Sequence, residues 1–221
     1  MGIPKKYKAP FIENEYYHVY NRSNNKELLF LDDEDRNNFL SQFNYYCSAF
    51  VDTTSWNLLD NHFHFYIQVK NISTITSYLK SRPSKDLCTT ERKFLDQKIG
   101  EHTLIDNAFK RLFISYSSYF NKTHNRKGNL FHRPFKHVMT ENEIQLINTI
   151  LYINANALKH KLVSRIEDHK WSSYHNIIME NQLDPQYIDL LKKFGGKSNF
   201  IKMIHEQIDS FLLCVDFPNE E

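Results

Sequence analysis

The sequence predicts an α+β fold: an antiparallel sheet covered on one side by helices, with a helical C-terminal extension. Three observations lead there. Short segments with a residue period of two read as strands at 15–22, 51–59, 62–69 and 130–139. Longer segments with apolar residues at helical spacing separate them, and the last stretch, 171–213, reads as helices alone. The order strand, helix, strand, strand, helix, strand, helix packs most simply as a sheet with its helices on one face.

Each element has a local reason. "EYYHVYNR" at 15–22 alternates, and "DDEDRNNFL" then opens a helix that Asp32 or Asp33 can cap, with acidic residues in its first turn where the helix dipole favours them. "VDTTSWNLL" at 51–59 is a strand, and Asp60-Asn61 turns the chain into the next one. A short helix fits 72–80. Residues 81–104 are polar and charged without a clear period, which predicts an insertion or mobile segment. From about 105 to 124, Phe109, Leu112, Phe113, Tyr116 and Phe120 recur at helical spacing, and Gly128 lies near the expected C-cap. "LFHRPFKHVM" at 130–139 reads as a fourth strand, with Pro134 marking an edge or bulge. Thr140 with Glu143 three residues on predicts a capping box for a helix that runs to about Leu158. The tail breaks at "FGGKSN". The expected organisation is a catalytic domain over 1–170, holding 81–104 as an insertion, with 171–221 as a helical extension packed on it.

Composition bounds the function. With 221 residues, 41% hydrophobic and 24% charged, the chain can build one substantial core. Aromatics are 14%, which leaves rings for base stacking once a core is built. Three cysteines, far apart and without CxxC, argue against a disulfide framework or a cysteine zinc site. No segment has signal-peptide or membrane-span character, so a cytoplasmic protein is expected. Net charge is +2, unevenly spread: residues 1–170 carry +6 and residues 171–221 carry −4. Between Asn107 and Thr140 lie Lys110, Arg111, Lys122, Arg126, Lys127, Arg133 and Lys136 with no acidic residue. That run suits a polyanion, and a solvated helix face is the plain alternative.

"NHFHFYIQ" at 61–68 carries the chemistry. His62 and His64 share one strand face, with Phe63 and Phe65 on the other. Two adjacent imidazoles are half a metal site, or two polar-face residues beside an aromatic core face. The helix "ENEIQLINTILYINANALKH" holds the other half. Gln145, Asn148, Tyr152, Asn156 and Lys159 fall in one stripe, beside an apolar face of Ile144, Ile147, Leu151 and Leu158. Two imidazoles and an amide oxygen can hold a divalent ion, and a phenol one turn from the amide can attack a phosphate that the ion polarises. Such an attack conserves the phosphodiester's energy in a phosphotyrosine, so rejoining needs no ATP; no P-loop or GxGxxG is present.

These residues bring a resemblance with them. "HFH" at 62–64 is similar to the His-hydrophobe-His signature of the HUH endonucleases. The chain most resembles their single-tyrosine transposases, in particular the REP-associated tyrosine transposases. The resemblance is carried in order by "YYHVYNRSNNKELLFLDDEDRNNFL", "NHFHFYIQV", "YFNKTHNRKGNLFHRPFKHV", "LYINANALKHKLV" and "WSSYHNI", which span most of 15–180. It implies a ferredoxin-like domain, Tyr152 as nucleophile, and His62, His64 and Asn156 as ligands of Mg²⁺ or Mn²⁺. It further implies cleavage and rejoining of single-stranded DNA beside hairpins. Arg22, Lys110, Arg111, Lys122, Arg126, Lys127, Arg133 and Lys136 are the expected DNA contacts. Both a monomer and a homodimer occur among such proteins. The chain departs from the pattern at Ala157, where the family usually has proline, and in the length of 81–104. Two other readings use the same residues: a metal-dependent nuclease that activates water, and a domesticated, non-catalytic nucleic-acid-binding protein.

Overall fold

The computed structural model describes residues 9–179 and 185–213. Its strands are β1 (Tyr16–Arg22), β2 (Val51–Leu59), β3 (His62–Val69) and β4 (Lys136–Met139). Its helices are α1 (Asp33–Cys47), α2 (Ile72–Ser81), α3 (Thr89–Leu95), α4 (Glu101–Thr123), α5 (Glu143–Lys159), α6 (Tyr174–Ile178), α7 (Pro185–Lys193) and α8 (Lys197–Leu213). The strands form one sheet in the order β2-β3-β1-β4, the ferredoxin-like order, so the predicted class is observed. β4 runs antiparallel to β1, with Tyr17 opposite Met139 and Tyr20 opposite Lys136. No helix among the described residues is long and apolar enough to cross a membrane.

The chain divides into two compact units. The first takes the described residues of Met1–Thr53, Asp60–His62 and Ile67–Thr140. The second takes those of Thr54–Leu59, Phe63–Tyr66 and Glu141–Glu221. In the first, α1 lies on α4 and both are anchored by aromatic rings. Phe39 meets Tyr116 edge-on at 4.9 Å, Phe113 lies 5.0 Å from Phe131 and 5.3 Å from Phe135, and Phe109 lies 5.4 Å from Phe135. Rings at these separations add specific geometry to large area burial. The buried Tyr116 hydroxyl donates to Leu29 O at 2.6 Å. The aromatic excess is therefore spent largely on this core.

Asp32 caps α1, accepting from Asp35 N at 2.9 Å, as the sequence predicts. The two-residue Asp60-Asn61 turn also forms, and the Asp60 carboxylate accepts from Arg36 at 2.6 Å. Four features differ from expectation. Residues 81–104 hold α3 and the first turn of α4, because α3 is fixed by charge and not by an apolar stripe. Glu91, 4% exposed, accepts from Cys88 N at 2.7 Å and faces Arg82 at 3.7 Å and Arg111 at 3.5 Å. β4 has only four residues, since Pro134 has no N–H to give a ladder, leaving one isolated bridge from Phe131 to Ser23. α4 ends at Thr123 with His124 as its C-cap, and Asn125 takes the left-handed turn (φ 50°), three residues before Gly128 (φ +95°). α5 is capped by Asn142 in place of Thr140, its side chain accepting from Gln145 N at 2.9 Å.

His137 on β4 ties the N-terminal segment to the first unit. It is 5% exposed, its Nε2 donates to Ala9 O at 2.7 Å, and its ring stacks on Phe11 at 4.3 Å. Burial pushes its pKa below the usual histidine value, although the Ala9 carbonyl pulls the other way. A lowered folded pKa means that the unfolded chain takes up the proton first. The stability from neutral His137 is thus full above about pH 6.5 and is lost as pH falls through the lowered value. The urea midpoint should fall between pH 7 and pH 5, and His137→Gln should flatten that fall. A midpoint that rises on acidification would refute this account.

Candidate active site

β3 carries the histidines as its alternation requires. Phe63 and Phe65 are buried, at 0% and 1% exposure. His62 is half-buried, and its Nδ1 lies 2.7 Å from Asn61 Oδ1. A carbonyl-type oxygen there holds a proton on Nδ1, which leaves the lone pair on Nε2. His64, two residues on, is 0% exposed. Its Nε2 lies 3.1 Å from Asn156 Nδ2, and an amide NH₂ can only donate, so Nε2 accepts. Both rings are thereby in the tautomer that offers Nε2 as a ligand atom.

α5 supplies the facing groups in the second unit. Asn156 is 0% exposed, and its Oδ1 is buried with no hydrogen-bond partner. Tyr152, one turn earlier, is half-buried with its ring edge-on to His64 at 5.7 Å. Lys159 Nζ donates to the Tyr152 hydroxyl at 3.3 Å and sits 4.7 Å from the ring centroid. An ammonium there favours negative charge on the phenol oxygen. Of the expected stripe, Tyr152, Asn156 and Lys159 come together, while Asn148 is exposed and Gln145 accepts from Glu141 N; Lys159 gains a contact that its place in the stripe did not reveal. The apolar face differs: Ile144 is 73% exposed, while Ile150, Leu151, Ile153, Asn154, Ala155, Asn156 and Ala157 are all buried. α8 packs against α5, so from Ile150 onward little of the helix meets water.

A buried polar network fixes α5 to β2. Asn57 Nδ2 donates to Ile153 O at 2.7 Å, and His169 Nε2 meets Asn57 Oδ1 at 2.8 Å. Asn154 Nδ2 donates to Ser55 Oγ at 2.9 Å and to Ile150 O at 2.9 Å. Ser173 Oγ donates to Asn154 Oδ1 at 3.0 Å and accepts from Trp56 N at 3.0 Å. These bonds grip the turn of α5 between Tyr152 and Asn156. The only trace of the network in the sequence is "WSSYHNI" and the polar residues inside a core strand.

Among the described residues no group of three or more His, Cys, Asp or Glu is placed to hold a metal ion. The proposed donors are two imidazoles and an amide, so the fit rests on Asn156. Half a turn of its amide puts Oδ1 where Nδ2 stands, 3.1 Å from His64 Nε2. Two neighbouring ligands of an octahedral ion with bonds of about 2.1 Å are about 3 Å apart. The orphaned Oδ1 and this spacing fit a divalent ion.

The expected DNA contacts lie in varied surroundings. Arg126 pairs with Glu27 at 2.5 Å and donates to Asn121 Oδ1 and to the Gly128 and Asn129 carbonyls, which holds the chain after α4. Lys110 pairs with Asp106 at 2.5 Å, and Arg111 lies over the Tyr46 ring at 5.1 Å. Lys136 lies over the Tyr20 ring at 5.6 Å, and Arg22 ends β1, half-buried. Lys122, Lys127 and Arg133 are exposed.

No protein-family model matches the chain, and no curated protein matches it. Among solved structures it is similar to a REP-associated tyrosine transposase bound to a REP hairpin, with a TM-score of 0.51 and 13% identity over 83% of this chain and 94% of that one. That likeness is one of fold. A bacterial tRNA(His) guanylyltransferase-like protein in complex with ATP matches at a TM-score of 0.33 and 10% identity, over 75% of this chain and 71% of that one, which carries no argument.

The network makes a stability prediction. Asn154→Ala removes three buried hydrogen bonds and leaves the Ser55 and Ser173 hydroxyls only each other and Trp56. Each lost bond costs about 1 kcal/mol. Unfolding in urea should show a loss of about 2–4 kcal/mol. A loss under 0.5 kcal/mol would mean that water reaches the network.

Proposed function

We propose that this chain is a DNA strand transferase of the single-tyrosine kind. It cuts and rejoins single-stranded DNA beside hairpins, with Tyr152 as nucleophile and His62, His64 and Asn156 as ligands of Mg²⁺ or Mn²⁺. One observation carries the reading: Tyr152 and Asn156 on α5 meet His64 on β3, with Lys159 at the Tyr152 hydroxyl and an unsatisfied oxygen on the Asn156 amide. The shared fold with a hairpin-bound transposase supports it.

The residues then divide the work. When bound, the ion polarises the scissile phosphate and draws charge from its oxygens. His64 and Asn156, locked by burial, hold their donor atoms still. Tyr152 Oη forms a bond to phosphorus as the bond to the 3′ oxygen breaks; the phenol loses its proton and the 3′ oxygen gains one. Lys159 keeps its charge beside the phenol oxygen while that charge develops. Reversal by a 3′-hydroxyl restores the phosphodiester and frees Tyr152. Lys122, Lys127 and Arg133 are exposed and the readiest of the eight expected residues to take backbone phosphates, whereas Lys110, also exposed, is paired with Asp106.

The test is a covalent adduct. Incubated with hairpin-bearing single-stranded DNA and Mg²⁺, the protein should form a denaturant-stable adduct whose nucleotide maps to the peptide containing "LYINANALK". Tyr152→Phe should keep hairpin binding and melting temperature within about 2 °C, yet lose both cleavage and adduct. His62→Ala with His64→Ala should lose cleavage as well. A protein that cuts without an adduct, and whose Tyr152→Phe variant still cuts, is a water-activating nuclease. Binding without any cutting would favour the non-catalytic reading.

A further inference from the structure

The outer side of α4 carries three cavities in a row, all in the first unit and none built from the groups invoked for cutting. The first, about 650 Å³, has an apolar wall of Phe113, Leu130, Phe131, Pro134 and Phe135, with Lys110 and Arg133 among its lining residues. The second, about 450 Å³, shares Ile114 and Ser118 with the first and is lined by Gln42, Tyr46 and Arg111. The third, about 270 Å³, shares Tyr46 and Arg111 with the second and adds Tyr45, Tyr78 and Arg82. Shared lining residues make the three adjoining stretches of one surface track. Arg111 to Ser118 alone covers about 10 Å of helix.

The chemistry of the track is consistent along its length. Lys110, Arg111, Arg82 and Arg133 line it, against the single carboxylate of Glu91. Arg82 and Arg111 both turn to one oxygen of that carboxylate, at 3.7 and 3.5 Å, so the cluster keeps a net positive charge. Arginines also lie on rings: Arg111 is 5.1 Å from the Tyr46 centroid and Arg82 is 5.9 Å from that of Tyr78. Large side chains stand in water beside them, with Tyr45 at 70%, Ile114 at 62% and Tyr78 at 42% exposure. Cations interleaved with exposed rings and an apolar wall match a chain with negative charges on one edge and flat apolar groups on the other.

We propose that this track binds an unpaired DNA strand, with phosphates on Lys110, Arg111, Arg82 and Arg133 and bases against Tyr46, Tyr78 and the Phe113–Phe135 wall. That the polynucleotide is DNA rests on the function proposed above; the track itself does not. It shares no residue with the groups invoked for cutting, so it gives one molecule a second place to grip DNA.

The test uses the full chain and a twelve-residue oligothymidylate, read by fluorescence anisotropy across a salt series. Lys110→Gln, Ile114→Ser and Arg133→Gln are combined, because all three side chains are exposed and the Glu91 cluster stays intact. Melting temperature should be unchanged and affinity should fall at least ten-fold. The slope of log K against log salt should shrink by about 1.4, the share of two phosphate contacts on a single strand. Photocrosslinking with iododeoxyuridine should label peptides within 42–46, 78–82, 111–119 or 128–135. An unchanged affinity and slope, labels confined to other peptides, tighter binding of a blunt duplex, or tighter binding of an oligouridylate each overturn the proposal. Labels on the track with no Tyr152 adduct would refute the cutting reading and leave the track standing. An adduct without track labels would do the reverse.

Discussion

Asn154 and Asn156 sit in the interior of the second unit, on a helix that is buried over most of its second half. An amide cannot stay in such a place without partners, since stranding it costs as much as several well-placed methyl groups contribute. That requirement sets where α5 lies. Asn154 finds Ser55 and Ser173, Asn57 reaches back to the Ile153 carbonyl, and His169 completes Asn57. Hydrophobic packing alone would let a helix slide or roll by a fraction of a turn with little loss. Directed bonds on both sides of Ile153 remove that freedom. Tyr152, one residue before the grip, and Asn156, two residues after it, inherit a fixed height and a fixed angle.

The first unit uses a different device. Its core is a set of rings on α1, α4 and the segment before β4, closed by hydrogen bonds from buried phenols. Burial pushes the Tyr17 phenol up to about 12, and its hydroxyl donates to Pro10 O at 2.6 Å while accepting from Ile12 N at 2.9 Å. A neutral, bonded phenol is a strut. A phenol meant to react needs an open approach and a cation nearby, and Tyr152 has the Lys159 ammonium at its oxygen. If Tyr152 is the nucleophile proposed above, the two units put the same side chain to opposite uses, and its surroundings decide which.

The strands and the long helices could be read from sequence because their determinants are local. β3 alternates cleanly, so its two histidines had to share a face. α1 announces itself through Asp32 and an acidic first turn. α3 could not be read, because it is held by Glu91 between arginines that lie nine residues before and twenty after it, with little apolar period to detect. The buried face of α5 was misplaced because periodicity describes a helix with one wet side, and α8 covers a second side. Asn57 and Asn154 look like ordinary polar residues in sequence; Ile153 and His169, the partners of Asn57, and Ser55, a partner of Asn154, lie about a hundred positions away. The short β4 follows from Pro134, which the sequence displays, but the sequence does not show how far pairing resumes beyond it.

The proposed ligand set has one further consequence. Two imidazoles and an amide carry no negative charge, and no third acidic or imidazole group joins them among the described residues. A neutral set holds a divalent ion weakly but leaves its full charge facing outward, which makes it a stronger Lewis acid than a carboxylate cage would. The missing negative charge has to come from the ligand that completes the shell, and a DNA phosphate supplies it. Ion and phosphate therefore favour each other's binding, in the sense that each gains free energy when the other is present. Under the proposed reading, chemistry would be confined to the moment when a strand is seated, and the phenol beside Lys159 would stay idle until the phosphate arrives.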